Sequence, residues 1–408
     1  MANLDYPLQL YYHLPDPDSW SVLIAEGFST DLLWDDEAIA EIYNWAAEHL
    51  KEHGVPPSVA VLEDEFDIEW TEPETTIGDL IERLRKDYMV HEGRKSLEKL
   101  GTQFNEDPML VAHVGLPMMR GLKDLLTKKG EAFSTGDFDR TWKGYLEEKE
   151  AGPGPSLGDP VLDDFFFGQR GITVFLGAPK AGKSWYVVKA VISNVRQGRH
   201  AWLYPLELPA QETHQRLLHM TADVPWWKYI NQSLGQAEEE AMREAAEELD
   251  GQGVYHISQP PEGQRTIDDL VGRAQDAGAD VVFIDQLQYV EHDGKPLGEH
   301  NDTGCYWAVL GRARTLSRDT PIVFAHPFNQ TIRGANEMPD AEQAKGSSAI
   351  KETSSLVLGL WASKEMRQND KLQIGALAAR NHALLKWEAD VEMSKGCSMD
   401  ITNVVEDE

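Results

Sequence analysis

The sequence predicts an α/β domain with a mostly parallel sheet, preceded by a smaller all-α domain. In the second part of the chain, short β-branched and apolar runs alternate with helical stretches, which is typical of a parallel sheet covered by helices. One of these runs leads directly into a glycine-rich loop and then a helix. The first third of the chain has helical periodicity and no comparable run, so we expect it to be all-α.

Length and composition set broad limits. With 408 residues, of which 41% are hydrophobic, the chain is long enough for two globular domains. Cys305 and Cys397 make neither a disulfide framework nor a zinc motif, so we expect reduced thiols. No apolar run approaches the length of a membrane span, and the first residues lack a basic leader. We therefore predict a cytoplasmic protein, or one that acts in a host's cytoplasm, with no membrane contact.

The charge of the chain is strongly negative and uneven. The net charge is −31, and residues 1–150 alone carry 32 acidic and 14 basic side chains. This balance argues against a continuous basic surface wrapped around nucleic acid. If the protein binds DNA, we expect local loops in the second part of the chain to make the contact.

Residues 1–145 form the predicted helical domain. Apolar residues recur at helical spacing in 36–50, 77–100 and 108–127, and no constellation of catalytic side chains accompanies them. We therefore interpret this region as an assembly or partner-binding domain. The mixture of charge, proline and glycine in residues 146–158 is typical of a linker.

Residues 159–408 contain the glycine-rich loop, which matches the spacing G-x-x-x-x-G-K-[ST]. Strand, loop and helix in this order direct backbone N–H groups and a helix N-terminus at a phosphate chain. The lysine of the pattern supplies a positive charge for the β- and γ-phosphates, and its serine supplies a hydroxyl ligand for Mg²⁺. The predicted nucleotide-binding residues are Gly177, Ala178, Pro179, Lys180, Ala181, Gly182, Lys183 and Ser184.

The strands predicted after this loop place polar residues at their carboxyl ends, where ligands bind in parallel sheets. These strands are Ala201–Tyr204, Val254–Ile257, Val281–Ile284, Ile322–Ala325, Leu356–Trp361 and Leu372–Ala379. Asp285 follows the third of them, and we predict that it holds Mg²⁺; the alternative is an aspartate that opens a loop. Glu207 follows the first, where a carboxylate can orient a water for attack on the γ-phosphate; the alternative is a solvated loop glutamate.

Two further strand ends carry candidate site residues. His326 follows the fourth strand and could sense the γ-phosphate, or it could be a structural histidine with its hydrogen bonds satisfied. Arg380 follows the sixth strand and could reach a nucleotide. In a ring this would be the nucleotide of a neighbouring subunit, which is the role of an arginine finger. A surface arginine is the alternative.

These motifs, in this order, resemble the hexameric replicative DNA helicases of the bacterial DnaB type and their phage relatives. The resemblance rests on the glycine-rich loop together with Leu206–Ala210, Ile284–Tyr289, Pro321–Asn329 and Ala379–Asn381. It extends over most of the chain and is weaker in the N-terminal third. It implies a RecA-like ATPase domain that uses ATP and Mg²⁺.

The resemblance also implies an activity and partners. The expected protein is an ATP-hydrolysing helicase that forms a homo-oligomeric, hexameric ring and translocates 5′ to 3′ on single-stranded DNA. Glu207 and Arg380 correspond to catalytic residues of the family, and Asp285 to its Mg²⁺ residue. Ring assembly, or binding of primase or of a helicase loader, is the expected role of the N-terminal domain.

Two positions depart from the family pattern, and two loops correspond to its DNA-contacting loops. His326 stands where the family usually has glutamine, and Ala378 stands where it usually has a lysine that reaches into the next subunit. The corresponding loops run from Glu291 to Thr303 and from Asn329 to Lys345. The candidate DNA-binding residues in them are Lys295, Arg333 and Lys345.

Two other functions stay open at this stage. One is a RecA-like DNA-dependent ATPase that acts in recombination or repair without unwinding DNA. The other is a nucleotide-regulated assembly factor for replication proteins, which the acidity and Ala378 favour.

Overall fold

The computed structural model describes residues 6–106, 138–178, 181–300, 303–329, 337–392, 394 and 396–405. The chain forms two compact units, Met1–Glu150 and Ala151–Glu408. The boundary between them falls within the predicted linker 146–158, but residues 146–151 belong to a helix and Leu157 is fully buried, so this segment is more ordered than its composition predicts. The stretch 108–127, predicted to be helical, lies outside the described residues.

The described part of the first unit is all-α, with helices α1 to α6 at Tyr6–His13, Pro17–Ala25, Glu37–His53, Val59–Phe66, Ile77–Glu106 and Phe138–Ala151 and a 3₁₀ helix at Thr30–Leu33. Aspartates begin two of these helices: the side chains of Asp16 and Asp36 accept hydrogen bonds from backbone N–H groups of the first turns of α2 and α3. The apolar periodicity within 77–100 belongs to α5, a single helix.

The first unit has a hydrophobic core of its own. Leucines from α1, α2, α4 and α5 are fully buried together. The indole N–H of Trp20 donates to the carbonyl oxygen of Leu14 at 2.7 Å, and that of Trp70 donates to the carbonyl oxygen of Tyr12 at 2.9 Å. These bonds satisfy polar groups that the apolar core would otherwise leave unpaired.

The second unit is an α/β domain, as predicted. Its helices α7 to α15 span Pro160–Phe166, Lys183–Arg196, Ala210–Thr221, Trp226–Ile230, Gln236–Asp250, Ile267–Asp276, Gly304–Leu316, Ser347–Thr353 and Lys364–Gln368. Its strands β1 to β11 span Ile172–Gly177, His200–Pro205, Val254–Ile257, Val281–Asp285, Glu291–His292, Lys295–Pro296, Ile322–Pro327, Leu356–Trp361, Lys371–Ala379, Lys386–Glu392 and Ser398–Val405. Short 3₁₀ helices lie at Leu287–Tyr289, Leu297–Glu299 and Ala341–Gln343.

One large sheet organises this unit, with the strand order β11-β10-β9-β8-β1-β7-β4-β2-β3. The strands from β8 to β3 pair in parallel, which confirms the predicted parallel character. Strand β9 is antiparallel to β8, and the hairpin β10–β11 extends that side of the sheet. We did not predict this hairpin from the sequence, because β10 is not a continuous apolar run; its alternation of charged and apolar residues is the pattern of a strand with one exposed face.

The register of the parallel strands brings their carboxyl ends to one edge of the sheet. Gly177 at the end of β1 lies opposite Pro327 at the end of β7. Asp285 at the end of β4 lies opposite Ala325 on one side and Pro205 on the other. Side chains that follow β1, β2, β4 and β7 are therefore held next to one another by the backbone ladder.

Apolar layers cover both faces of the sheet. Phe175 and Phe283 pack on one face against helix α8, and Val174 and Ile284 pack on the other face against α12 and α13. These strands are buried on both sides, so they are continuous apolar runs. Across the described ranges, none of the helices has the length and apolar character that crossing a bilayer requires.

Candidate functional site

The glycine-rich loop connects β1 to α8 at the carboxyl edge of the sheet, where an open pocket of about 960 Å³ lies. Gly182 ends the loop with φ +87°, a left-handed conformation that favours glycine, and it caps the N-terminus of α8. A Cβ atom at this position would lie 2.6 Å from the methyl group at the end of the flexible Met399 side chain, which would have to shift. Ala181 and Gly182 line the pocket, while Pro179 and Lys180 lie outside the described residues.

Lys183 is held inside the loop. Its ammonium group donates hydrogen bonds to the carbonyl oxygens of Gly177 at 3.1 Å and Ala178 at 3.3 Å, and the side chain is almost fully buried. Burial lowers the pKa of Lys183, and the nearby carboxylates of Asp285 and Glu207 oppose this shift. A phosphate entering the loop would therefore meet a positive charge that is already positioned and poorly solvated.

Asp285 is a buried carboxylate at the end of β4. Among the described groups, its Oδ1 atom has no hydrogen-bond partner. Burial raises the pKa of Asp285 to about 6, and Glu207 adds to this shift, whereas Ser184, Lys183 and Arg216 oppose it. An unpaired carboxylate oxygen beside the Ser184 hydroxyl is the type of oxygen-donor set that Mg²⁺ prefers, so these residues fit a magnesium ion.

Glu207 is tied to the same strand end. The backbone N–H groups of Leu206 and Glu207 donate to the carbonyl oxygen of Asp285 at 2.7 and 3.2 Å. The Gln286 amide, on a buried side chain, donates to Oε2 of Glu207, and the peptide bond between Asp285 and Gln286 is cis. Glu207 itself is exposed and lines the pocket, so it can contact a water molecule there.

His326 does not reach the pocket wall in this arrangement. It lies one residue before the end of β7 and is fully buried, whereas Pro327, Phe328 and Asn329 line the pocket. Its Nε2 atom is 3.0 Å from the carbonyl oxygen of Lys345, and because a carbonyl only accepts, Nε2 carries the proton. Burial lowers the pKa of His326 to about 4, so the ring is neutral and its single donor is engaged. The Nδ1 atom is also buried and has no hydrogen-bond partner among the described groups, so only half of the ring's hydrogen-bonding capacity is satisfied, and the role of His326 as a γ-phosphate sensor stays a prediction.

The candidate DNA-binding lysines occupy different environments. Lys345 lines the same pocket, and its ammonium group donates to the carbonyl oxygen of Gly298 at 2.7 Å. This bond joins the loop 291–303 to the end of the loop 329–345. Lys295 is exposed on the hairpin β5–β6, and Arg333 lies outside the described residues.

Arg380 lies away from the pocket of its own chain. It follows β9, and its guanidinium group donates to the carbonyl oxygens of Glu352, Thr353 and Ser354 at 3.1, 3.3 and 3.3 Å. These carbonyls belong to the C-terminus of α14, where a positive charge is favourable. Ala378, two residues earlier, pairs with Val357 inside the sheet.

The structure adds a basic residue to the pocket that sequence reasoning left without a role. Arg216, on α9, lines the pocket and forms an ion pair with Glu212 at 2.7 Å. Its guanidinium carbon lies 5.0 Å from the ring centroid of Trp185 and 5.5 Å from that of Trp226, within cation–π range. In the sequence, the feature that could have indicated a role for Arg216 is its position on the amphipathic helix that directly follows Glu207.

Together these groups suit a polyphosphate ligand. Lys183 and Arg216 supply positive charge, and Ser184 and Asp285 supply oxygen ligands for a cation. Glu207 supplies an exposed carboxylate on the same pocket wall. Such an arrangement can hold a phosphate chain, neutralise its charge and orient a water molecule.

Comparisons with known proteins agree with the fold of the second unit. The model of the DnaB-like helicase C-terminal domain matches residues 159–385. One similar solved structure, described as an ATPase domain, is 15% identical to this chain, covers 66% of it and 100% of its own length, and has a TM-score of 0.58. A DnaB-like replicative helicase, whose structure was determined with its primase interactions, is 13% identical, covers 98% of this chain and 100% of its own, and has a TM-score of 0.65. No curated protein matches the chain.

The raised pKa of Asp285 predicts a pH dependence of nucleotide binding. Without a ligand Asp285 is protonated below about pH 6, and Mg²⁺ bound there would require the carboxylate, so the affinity for Mg²⁺-nucleotide should fall as the pH drops through this value. Calorimetric titration with a non-hydrolysable nucleotide should show an affinity that falls roughly tenfold for each pH unit below the pKa of Asp285, and is therefore clearly weaker at about pH 5 than at about pH 7. Asp285→Asn is the matched control, because it reports only the titration of the nucleotide itself. Equal slopes for the two proteins would contradict the prediction.

Proposed function

We propose that this chain, which belongs to the DnaB-like helicase family, is an ATP- and Mg²⁺-dependent DNA helicase. Its membership of the family is shown by the model of the family's C-terminal domain, which matches residues 159–385, more than half of the sequence. The chain would assemble into a ring and translocate 5′ to 3′ along single-stranded DNA. The observation that carries the proposal is that Lys183, Ser184 and Glu207 line one pocket, with Asp285 buried against it.

The proposed reaction is hydrolysis of the γ-phosphate of ATP. Lys183 would exchange its two carbonyl acceptors for phosphate oxygens, and Ser184 and Asp285 would hold Mg²⁺. An ion held by these two residues would supply positive charge that offsets the charge developing on the phosphates during hydrolysis. Glu207 would orient the attacking water and accept its proton, and ADP would leave with the electrons of the broken bond.

Gln286 is the residue that would keep Glu207 in place for this step. Its side chain is buried, and its amide donates to Oε2 of the glutamate, which leaves Oε1 available for water. Because Asp285 and Gln286 are consecutive, the same backbone segment would position the Mg²⁺ ligand and the water-orienting residue. The end of β4 would in this way couple binding of the ion to the attack of water on the γ-phosphate.

We assign Arg380 to a neighbouring subunit's site. Within its own chain its guanidinium group binds the end of α14, and the side chain is exposed. A ring brings the surface of one subunit against the pocket of the next, where a guanidinium group stabilises the charge on the transferred phosphate. Ala378 stands where the family usually has a second cation, so Arg380 would be the one cation at the end of β9 that stabilises this charge.

An aromatic stripe on α6 supports ring assembly. Phe138, Trp142, Tyr145 and Leu146 recur at helical spacing and are 69%, 50%, 51% and 43% exposed. The ring centroids of Trp142 and Tyr145 are 5.0 Å apart, so the side chains present one continuous apolar surface. Exposed apolar surface of this kind is typical of protein interfaces. We propose that it packs against a second copy of this chain.

The acidic character of the chain restricts where DNA could bind. The joined loops that contain Lys295 and Lys345, together with Arg333, are the proposed contact. Copies of a small positive site around a channel would add up along one strand, so a subunit of net charge −31 could still hold DNA. The first unit, which has its own core, would serve assembly or bind primase or a loader.

A forked-DNA assay tests the proposed function. The wild-type protein should separate strands with ATP and Mg²⁺, and Lys183→Ala should lose both nucleotide binding and unwinding. Glu207→Gln should bind nucleotide but hydrolyse it at least about 100-fold more slowly, since it removes the water-orienting carboxylate. Glu240→Gln, at an exposed glutamate on α11, is the control. DNA-stimulated hydrolysis without strand separation would indicate a recombination-type ATPase, and nucleotide binding with no response to DNA would indicate an assembly factor.

Arg380→Ala should abolish hydrolysis and spare ATP binding, because the arginine would act on the adjacent subunit. Mixing this variant with Lys183→Ala should restore part of the hydrolysis, since some interfaces then combine an intact P-loop with an intact arginine. Lys364→Ala, at an exposed cation on α15, is the control for general charge effects. Hydrolysis retained by Arg380→Ala alone would remove the finger assignment.

The α6 stripe predicts a change in assembly. Trp142→Ser combined with Tyr145→Ser should reduce the oligomer measured by light scattering with ATP present, because the change removes most of the apolar contact. Glu147→Ser, on the opposite side of the helix, should leave the oligomer intact. An unchanged oligomer in the double variant would show that the stripe lies outside the subunit interface.

A further inference from the structure

Three aromatic rings lie together where β2 and β3 begin. His200 and Trp202 are two residues apart on β2, and His256 on β3 pairs with Trp202 in the parallel register, so all three side chains project from one face of the sheet. The ring centroids of His200 and His256 are 4.9 Å apart. The rings of Trp202 and His256 are stacked, with centroids 4.5 Å apart.

This group of rings lies at the opposite edge of the sheet from the glycine-rich loop. His200 begins β2, whereas Glu207 follows the end of the same strand. A strand of this length spans about 20 Å, so a ligand held by the histidines would lie far from the phosphate-binding groups. Strand β3 is the last strand on this side of the sheet, and His256 is exposed on it. The rings are therefore accessible from solvent.

One nitrogen of His200 is free to bind a cation. Its Nδ1 atom lies 3.2 Å from the carbonyl oxygen of Gly278, and because a carbonyl only accepts, Nδ1 carries the proton. The Nε2 atom therefore has a lone pair, and it is buried with no hydrogen-bond partner among the described groups. Histidines that bind metals usually donate their other ring N–H to a carbonyl or carboxylate, which fixes the tautomer and the orientation of the ring. His200 already has this arrangement.

Both histidines are held in place by their surroundings. The backbone N–H of His200 donates to the carboxylate of Asp280 at 2.7 Å, and its carbonyl oxygen accepts from the backbone N–H of Asp280 at 2.8 Å. His256 is held by the β2–β3 ladder and by stacking on Trp202. Because the two rings are ordered in advance, an ion that binds them both would lose little affinity to ordering of side chains.

The separation of the two rings fits a shared ion. A zinc-like ion lies about 2.0–2.1 Å from an imidazole nitrogen, and therefore roughly 3.2 Å from the centroid of the ring. Two such rings, at ligand angles between about 90° and about 109°, have centroids roughly 4.5 to 5.2 Å apart. The observed 4.9 Å lies within this range.

The ligand set indicates the class of metal. Within the described ranges no further histidine, cysteine, aspartate or glutamate completes a three-residue cluster, so water would fill the remaining coordination positions. Imidazole nitrogen suits Zn²⁺, Cu²⁺ and Ni²⁺, whereas Mg²⁺ and Ca²⁺ prefer oxygen ligands. The ions used for phosphate chemistry would therefore not compete for this position.

We propose that Nε2 of His200 and a ring nitrogen of His256 form a two-histidine site for a divalent transition metal of the Zn²⁺ type. The ion would join the edge strand β3 to β2 and keep water on its exposed side. This site is separate from the proposed nucleotide site, and it stands or falls independently of ATP hydrolysis.

Calorimetric titration with Zn²⁺ tests the site. The full-length protein, free of nucleotide, should bind Zn²⁺, and His200→Ala and His256→Ala should each weaken that binding step by at least about tenfold. Loss of an outer-shell partner alone typically costs a metal site this much, and loss of a ligand should cost no less. Since His256 is exposed, its truncation should leave the fold intact, which circular dichroism checks. An unchanged affinity in either variant would overturn the proposal.

Two other histidines provide matched controls. His53 lies beside His49 on α3, with ring centroids 4.4 Å apart, and Nδ1 of His300 lies 3.4 Å from the Cys305 sulfur. His53→Ala and His300→Ala should keep the binding step that His256→Ala weakens. Disappearance of that step in either control would place the ion elsewhere and refute the assignment to β2 and β3.

Hydrogen exchange gives a local readout of the same ion. Zn²⁺ should slow exchange of the backbone amides of residues 254–257 by about tenfold in the wild type, because the ion ties the edge strand to its neighbour. His256→Ala should lose this protection, and Mg²⁺ at the same concentration should not produce it. Protection by Mg²⁺, or exchange in β3 that is unaffected by Zn²⁺, would contradict the two-histidine site.

Discussion

The site depends on two opposite charges that are both buried before any ligand arrives. Burial lowers the pKa of Lys183 and raises that of Asp285, so each charged form is disfavoured by its surroundings and only partly compensated by the other. In the proposed function, a phosphate chain with its cation would supply the missing partner to both groups at once. The parallel ladder makes this possible, because it fixes the ends of β1 and β4 on the same edge of a rigid sheet.

The parts of this site that the sequence predicted are those with local signals. The loop, its lysine and Asp285 each follow a buried apolar run, and the fold confirms those runs as strands. The burial of His326 could not be predicted. Side chains alternate between the two faces of a strand, so the residue at which β7 ends decides whether His326 faces the pocket or the core. The role of Lys345 depended on a contact with Gly298, distant in sequence. The hairpin β10–β11 was missed because the predicted strands were continuous apolar runs, whereas β10 alternates charged with apolar residues.

The two units divide the proposed work. The first 150 residues carry 32 of the 69 acidic side chains and only 14 of the 38 basic ones, and their described part packs around its own apolar core. The second unit holds the phosphate-binding groups and the tied loops. A largely acidic surface keeps nucleic acid away from everything except local basic loops, so charge would select the proposed path of the strand.

The contacts of Arg380 have a consequence for how fast a ring could run. The side chain closes the end of α14 by satisfying three carbonyl groups. Reaching across to an adjacent nucleotide would require it to release them, so engagement competes with an intact last turn of that helix. The stability of this short helix would then limit the rate of ATP hydrolysis in the adjacent subunit. Substitutions that stabilise or destabilise the last turn of α14 would change the rate of hydrolysis without changing the affinity for ATP.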